Sequence, residues 1–344
     1  MKLFSELASP FGVLSNRVAM APMTRAFCDS ANCPSRQAEQ YYSSRALAGA
    51  SLIITEGIIV DASGDGYANV PHLSTFQQRD CWAAIVSSVQ RSGGRIIAQL
   101  WHCGRLSHES FTGGIQPISS SPVRADGINR QNGLPYGMPR EMNVGEGPII
   151  VGHFVRAAKL AKEAGFDGVE IHGGHGYLLE QFMDSNINVR KDKYGGSIEN
   201  RCRLLFEIVA SVGEVFGPNR IAIRLSPRRQ IGSVTYEIPE IHELLAHLAA
   251  RSSELGVGAL DVSCAHAPYE SHAAVAARIL RRQWKSMIIG GASLDVDAAN
   301  SEIEAGVLDI VTWGRAFIGN PELPRLLRDR RPITPFDRAM LANL

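Results

Sequence analysis

What most restricts the fold of this 344-residue chain is a strict alternation of short apolar runs with longer segments of helical period. The apolar or β-branched runs fall at 17–20, 51–55, 95–100, 168–172, 220–225, 259–263, 286–289 and 309–313. Helix-period segments occupy 37–48, 79–91, 151–164, 198–215, 239–255, 273–284 and 295–305, and 321–330 follows the last run. A run that is apolar at successive positions has no face to offer water, so it predicts a strand covered on both sides, as in parallel sheets flanked by helices. Eight such units in succession close into a barrel. The pattern therefore predicts an α/β fold, a (β/α)8 TIM barrel. Residues 3–15 precede the first strand as a short N-terminal cap over the opposite end. Residues 102–147, rich in Gly, Pro, Ser and Asn and without sustained period, form a long loop after strand 3. A loop of that length is usually functional, and its position sets it over the C-terminal face where barrel active sites are built.

A chain with 45% hydrophobic residues and no linker, internal repeat or low-complexity tract is expected to bury one core, as a single domain over residues 1–344. The formal charge is +1 and the two signs are interspersed, so neither nucleic acid nor an anionic membrane is expected as a partner. The N-terminus lacks an apolar stretch of signal-peptide length, and no run reaches the roughly 18 apolar residues of a membrane span. A soluble, cytoplasmic protein is expected. Cys28, Cys33, Cys81, Cys103, Cys202 and Cys264 show no CxxC spacing, which fits reduced thiols in such a compartment.

Catalytic groups of a barrel come from the ends of its strands, so the residues just past each apolar run are the candidates. The first run ends in Ala21-Pro22-Met23-Thr24-Arg25, the second in Glu56-Gly57 and the third in Gln99-Leu100-Trp101-His102. The fourth ends in His172-Gly173-Gly174-His175-Gly176-Tyr177, and the fifth in Arg224-Leu225-Ser226-Pro227. The seventh supplies Gly290-Gly291-Ala292 and the eighth Gly314-Arg315. Glycines after the last two strands, with a guanidinium beside them, match the barrel phosphate site, where main-chain N–H groups and an arginine receive phosphate oxygens. Taken alone, Gly290-Gly291 can equally serve to turn the chain. No GxGxxG or P-loop spacing occurs in strand–helix context, so neither a Rossmann-bound nicotinamide nor a nucleoside triphosphate is indicated.

After the fourth strand, two imidazoles and a phenol gather at one mouth. Imidazole N–H groups can hold a carbonyl oxygen as negative charge builds on it, while Tyr177 can protonate a neighbouring carbon. His172 and His175 can also be read as metal ligands, but a metal needs a third or fourth convergent ligand and none is evident nearby, so no metal is expected. Arg224 places a permanent charge at a strand end, where it can form an ion pair in the barrel mouth or, beside a flavin, stabilise the anionic reduced ring.

Several longer segments fit one family: 16–25, Gln99-Leu100-Trp101-His102 with Gly104-Arg105, 164–172, Gly176-Tyr177-Leu178-Leu179-Glu180-Gln181-Phe182, Tyr194-Gly195-Gly196-Ser197-Ile198-Glu199-Asn200-Arg201, and Arg224-Leu225-Ser226-Pro227. In this order they resemble the Old Yellow Enzyme family over nearly the whole chain. The resemblance implies a single FMN-binding TIM-barrel domain that reduces the activated C=C bond of an α,β-unsaturated carbonyl compound or nitroalkene, with NAD(P)H, and NADPH ahead of NADH, as electron source. It implies that Pro22, Met23 and Thr24 line a tightly bound FMN ring, with Gly57 and Gln99 on its pyrimidine side and Arg224 at its N1/O2 edge. Gly291, Ala292, Gly314 and Arg315 would hold the phosphate. His172 and His175 would grip the substrate oxygen, Tyr67 and Trp101 would wall the pocket, hydride would pass from flavin N5 to the β-carbon, and Tyr177 would protonate the α-carbon. A small-molecule substrate and a monomer or homodimer are expected.

The chain departs from the family at His72-Leu73-Ser74, where Gly-Ile-Trp is common, and after Thr334-Pro335-Phe336-Asp337-Arg338, where many relatives carry an aromatic-rich tail. The rival readings are a flavin-dependent isomerase or biosynthetic tailoring enzyme of the same fold, a metal-dependent barrel hydrolase, and a flavin-binding protein without turnover. Tyr177 favours net reduction.

Overall fold

The computed structural model describes residues 1–129, 131–231, 234–264, 267–291 and 294–344. Eight parallel strands form the barrel: β1 (Val18–Met20), β2 (Leu52–Ile54), β3 (Arg95–Trp101), β4 (Gly168–His172), β5 (Ile221–Leu225), β6 (Ala259–Val262), β7 (Met287–Gly291) and β8 (Ile310–Trp313). Each pairs with its neighbours in sequence, and the β8–β1 pairing, Val311 opposite Val18, closes the ring. All eight lie within two residues of the apolar runs, as the two-sided burial of their side chains requires.

Alternate residues of each strand face opposite ways. Outward side chains such as Met20, Ile53, Val169, Ile223, Leu260 and Val311 pack against the helices. The helices are α1 (Arg36–Leu47), α2 (Phe76–Arg91), α3 (Gly147–Glu163), α4 (Ile198–Phe216), α5 (Ile241–Glu254), α6 (Ala273–Arg281), α7 (Val296–Glu304) and α8 (Leu323–Arg328). Local chemistry starts several of them. The Thr75 hydroxyl and Gln78 amide form a reciprocal capping box on α2, and Ser197 and Asp295 accept main-chain N–H groups at the starts of α4 and α7. Helix α3 begins earlier than its period suggests, at Gly147-Pro148, with proline in the first turn where it costs no hydrogen bond. Helix α6 ends at Arg281, short of Trp284, whose main-chain and indole N–H groups donate to Leu280 O and Met287 O instead.

Inward side chains fall into two layers. The lower is apolar, built from Ala19, Leu52, Ile54, Ile97, Ala222, Ile289 and Ile310. A hairpin of Leu7–Ser9 against Gly12–Leu14 closes this end, with Phe11 from its turn buried in the floor, as expected of the N-terminal cap. Gly168 leaves the space Phe11 occupies, since a Cβ there would sit 2.8 Å from the phenyl ring and 2.5 Å from Arg220 O. At about 1.5–3 kcal/mol per fully buried Leu, Ile, Val or Phe side chain, the apolar layers carry the fold and leave the upper layer free for polar residues. That upper layer holds Gln99, Glu170, His172, Arg224 and Asp261, all buried.

Two features modify the C-terminal face. The long excursion after β3 contains a short parallel pairing of Ile118–Ser119 with Arg140–Glu141. After β5 an antiparallel hairpin, Arg228–Ile231 with Val234–Glu237, precedes α5; the sequence leaves 228–238 unassigned because each arm is only four residues long. This hairpin is tied to the short helix after β4, Leu178–Met183, by the Arg229–Glu180 ion pair and by a hydrogen bond from the Tyr236 hydroxyl to Asp184.

Candidate active site

Five of the residues singled out above meet at the C-terminal ends of β3 and β4. The Trp101 indole packs against Tyr67, Tyr177 and His172, with ring centroids 5.0, 4.8 and 6.3 Å away. His172 stands 5.1 Å from His175 and 5.0 Å from Tyr177, centroid to centroid. Gly57 makes room for the indole, because a Cβ there would lie 2.4 Å from its Cε3 atom.

His172 is the last residue of β4 and is buried. Its Nδ1 accepts the Gly174 main-chain N–H at 3.3 Å. Burial first, and then the charge of Arg224, push its pKa well below the usual imidazole value. A neutral ring accepting at Nδ1 carries its proton on Nε2, which makes it a hydrogen-bond donor without net charge. His175 sits in the left-handed region at φ 58°, where its main-chain N–H donates to Ser226 Oγ. Its Nε2 lies 2.9 Å from Ser263 Oγ at the end of β6, which ties the ring to that strand. Ser226 in turn donates to Glu180 Oε2 at 2.8 Å, which ties the backbone of His175 to the Glu180–Arg229 pair.

The Tyr177 hydroxyl is 2.8 Å from that of Tyr67. Burial chiefly, with Tyr67 as a near neighbour, raises its pKa well above that of a free phenol, so it holds its proton. Tyr67 is fixed from below: Asp65 Oδ1 accepts its main-chain N–H at 3.1 Å, and Asp65 Oδ2 pairs with His72 Nε2 at 3.0 Å. The family departure at His72 thus supplies a buried partner for Asp65, and Tyr67 keeps its place in the wall.

Beside this cluster lies a cavity of about 470 Å³ lined by Pro22, Met23, Arg224, Gly291, Gly314 and Arg315 among others, six of the expected cofactor residues. A side chain at either glycine would force its surroundings to shift: a Cβ on Gly291, at φ +144°, would meet Thr312 O at 2.4 Å, and one on Gly314 would meet Met23 Sδ at 2.7 Å. These bare backbone positions with Arg315 beside them suit a phosphate, and the buried Arg224 Nε, which has no partner among the described residues, suits a ring acceptor. The donor set and the space fit FMN. Gln99 lies in the upper layer of the barrel, hydrogen-bonded to Glu170, and Thr24 is exposed just beyond Met23. Ala292 lies outside the described residues. The segment after Thr334 folds back over this end, with the Arg315 guanidinium 5.3 Å from the centre of the Phe336 ring and Arg25 donating to the carbonyls of Met340 and Asn343.

Sequence reasoning missed the contribution of the sixth strand. Ser263, Pro268, Tyr269 and Glu270 line the cavity with Leu294 and Thr312. Reading the residues past every strand, the sixth included, points directly to Ser263. It also missed Glu170 and Asp261, whose signal is a carboxylate at an inward position of an otherwise apolar strand. Asp261 forms an ion pair with Arg224, so Arg224 both pairs within the mouth and faces the cavity. Among the described residues no three His, Cys, Asp or Glu side chains converge in a metal-binding arrangement.

Residues 2–333 match the NADH:flavin oxidoreductase / NADH oxidase family. Among curated relatives, putative 12-oxophytodienoate reductase 5 of Oryza sativa subsp. japonica is 39% identical over 343 residues, 94% of this chain and 87% of that protein. The same organism's 12-oxophytodienoate reductase 1 is 36% identical over 341 residues, 95% and 86% of the two chains. Morphinone reductase in complex with tetrahydroNAD superposes with a TM-score of 0.90 at 34% identity, covering 99% of this chain and 94% of that one. The old yellow enzyme homologue from Zymomonas mobilis gives 0.91 at 30%, covering 99% and 96%.

Proposed function

The chain belongs to the NADH:flavin oxidoreductase / NADH oxidase family, the Old Yellow Enzyme group, and on that premise we propose that it is an ene-reductase that reduces an activated C=C bond with FMN and a reduced nicotinamide nucleotide. The observation that carries this reading is the meeting of a proton-bearing phenol, Tyr177, with an uncharged N–H donor, His172, 5.0 Å apart between ring centres and beside a cavity that fits FMN. The carbonyl oxygen and α-carbon of an α,β-unsaturated carbonyl compound are only two bonds apart, so one small substrate can reach both. Pro22, Met23, Gly57, Gln99 and Arg224 would hold the ring of FMN, with Thr24 at its edge, and Gly291, Ala292, Gly314 and Arg315 its phosphate. When bound, FMN supplies the two-electron chemistry, taking a hydride equivalent from the nicotinamide and delivering it to the β-carbon.

The side chains supply the rest. The Nε2–H of His172 and the imidazole of His175 beside it receive the substrate oxygen and stabilise the negative charge that develops on it, at about 2.7–4 kcal/mol for a well-placed donor. Because His172 is neutral beforehand, it does so as a dipole already in place. Tyr177 gives its proton to the α-carbon, and Tyr67 and Trp101 fix the direction from which that proton comes. We extend the reading to one FMN-binding barrel domain over residues 1–344, a monomer or homodimer in the cytoplasm, with NADPH preferred to NADH. No described helix is long and apolar enough to cross a membrane. The visible spectrum of the purified protein, followed anaerobically, tests the central reading: a bound flavin should bleach with NADPH and recover on addition of a cyclic enone. Absence of any bound or reconstitutable flavin overturns it.

A further inference from the structure

Gln99, Glu170, Arg224 and Asp261 stand on four successive strands, β3 to β6, and all are buried. Gln99 Nε2 donates to Glu170 Oε1 at 2.7 Å, and Arg224 Nη1 donates to Asp261 Oδ2. Two acceptors are left over, Glu170 Oε2 and Asp261 Oδ1, both buried and without a donor among the described residues. The two carboxyl groups are within hydrogen-bonding reach of each other. A buried acceptor without a donor bears its full desolvation cost, and two adjacent buried carboxylates repel as well. One proton between Oε2 and Oδ1 removes both penalties. The charge count says which residue carries it: Arg224 is matched by Asp261 through their ion pair, Gln99 is neutral, and His172, the next inward residue of β4, is uncharged, so the attraction of Arg224 for Glu170 is outweighed by burial and by Asp261.

We propose that Glu170 is a neutral carboxylic acid that donates to Asp261 Oδ1, and that through its other oxygen it acts as a positioning residue for Gln99. An acid hydroxyl at Oε2 leaves Oε1 a pure acceptor, which fixes the Gln99 amide with its nitrogen toward Glu170, since the flipped amide would set two acceptors face to face. The atom of Gln99 left for a bound ring is then Oε1, which matches a ring N–H and not a ring carbonyl. Burial acts in the same direction, raising the Glu170 pKa well above the usual carboxylate range, with Asp261 adding to it. The Gln99 half of this inference rests on the flavin reading, while the shared proton does not.

Infrared spectroscopy of protein labelled with carboxyl-¹³C glutamate, without cofactor and near neutral pH, tests the proton. A protonated-carboxyl C=O band should shift with the label and vanish in Glu170→Gln, an assignment needed because Glu56 and Glu180 are also buried. Absence of a band that depends on Glu170 overturns the proposal. The positioning role is read from FMN binding by fluorescence quenching. Glu170→Gln, which keeps both an acceptor for Gln99 and a donor for Asp261, should hold FMN within about threefold of the native affinity, while Glu170→Ala should weaken it by about tenfold or more. N3-methylated FMN should bind the native protein about tenfold less well than FMN, and Glu170→Ala should narrow that gap. Equal losses in Glu170→Gln and Glu170→Ala, or discrimination against the methylated flavin that Glu170→Ala leaves unchanged, overturn the positioning role. A protein that shows the band but binds no flavin sinks the flavin reading and the Gln99 role with it, and supports the shared proton.

Discussion

The hydroxyls of Tyr67 and Tyr177 lie 2.8 Å apart with the Trp101 indole against both rings, which fixes the position of the Tyr177 hydroxyl. Tyr177→Phe removes the acid without disturbing that packing, so the reduction of an enone by prereduced protein should slow by about 10²-fold or more. Reduction of the protein by NADPH should stay near normal. Stopped-flow measurement of the two halves decides it, and a loss confined to the NADPH half would contradict the assigned role. Tyr67→Phe, which keeps the ring and loses the partner hydroxyl, should show a smaller loss in the same half.

His172 is held neutral with its Nε2–H as donor, so its contribution should persist as the pH falls through the ordinary imidazole range. Removing it as His172→Ala should slow enone reduction by about 10²–10³-fold, the range for one oxyanion donor, and weaken binding of a phenol that mimics the substrate oxygen. In the native protein the rate of the enone half should stay level as pH falls through 6.5, because the His172 pKa lies well below that value. A rate that titrates with an ordinary imidazole pKa, and still does so in His175→Asn, would show that the His172 ring enters the reaction charged.

The barrel was legible because its signal is redundant: eight apolar runs, each with a helix after it, have one economical way to be buried. The strand-end rule then found Trp101, His172, His175 and Tyr177 in a group, because strand order turns positions scattered over the chain into neighbours on one rim. Tyr67 came from family resemblance alone, and the reason is physical: it is held by Asp65 and the buried His72, contacts within a loop that has no period to read. The hairpin at 228–237 escaped for a similar reason, being short and fixed by Arg229 and Tyr236 to residues some fifty positions earlier. Ser263, Glu170 and Asp261 carried a readable signal, a polar group on or just past an apolar strand, whose meaning depends on which way the strand faces.

Arg315 lines the cavity beside Gly314 and Gly291, the end proposed above for the phosphate. FMN differs from riboflavin by that phosphate, so the native protein should prefer FMN strongly. Arg315→Ala, which removes a charge-assisted contact, should cut FMN affinity by about tenfold or more while changing riboflavin affinity little. Equal losses for the two ligands, measured by fluorescence quenching, would place Arg315 away from the phosphate.

The two glycines of that end should tolerate a methyl group unequally. At Gly291 a Cβ meets a main-chain oxygen, Thr312 O, at 2.4 Å and the backbone has φ +144°, so both sterics and conformation oppose it. At Gly314 the obstacle is the Met23 thioether, which can rotate away. Gly291→Ala should therefore lower stability by about 1–3 kcal/mol and Gly314→Ala by less, with both reducing FMN affinity. Urea unfolding of the two variants ranks them, and the reverse order would discredit the cradle.

His102 follows Trp101 at the end of β3, fully enclosed, with Nδ1 accepting the Gly104 N–H at 3.1 Å and Nε2 without a partner among the described residues. Burial, with the neighbouring His153 adding to it, pushes its pKa down from 6.5 to about 4. The folded value lies below the unfolded one, so between them the unfolded chain binds a proton that the folded chain refuses. Stability from this residue is thus intact above pH 6.5 and falls as the pH drops from 6.5 toward 4, by about 1.4 kcal/mol per unit and about 3 kcal/mol in total. The buried carboxyls Glu56, Glu170 and Glu180 have raised pKa values and act in the opposite direction, so the native curve alone does not isolate His102. The difference between native protein and His102→Gln does, since the amide oxygen can still accept the Gly104 N–H and the side chain does not titrate. Urea unfolding across this window should show the native protein losing its advantage over the variant as the pH falls, whereas a difference independent of pH would mean that His102 is not held neutral by the fold.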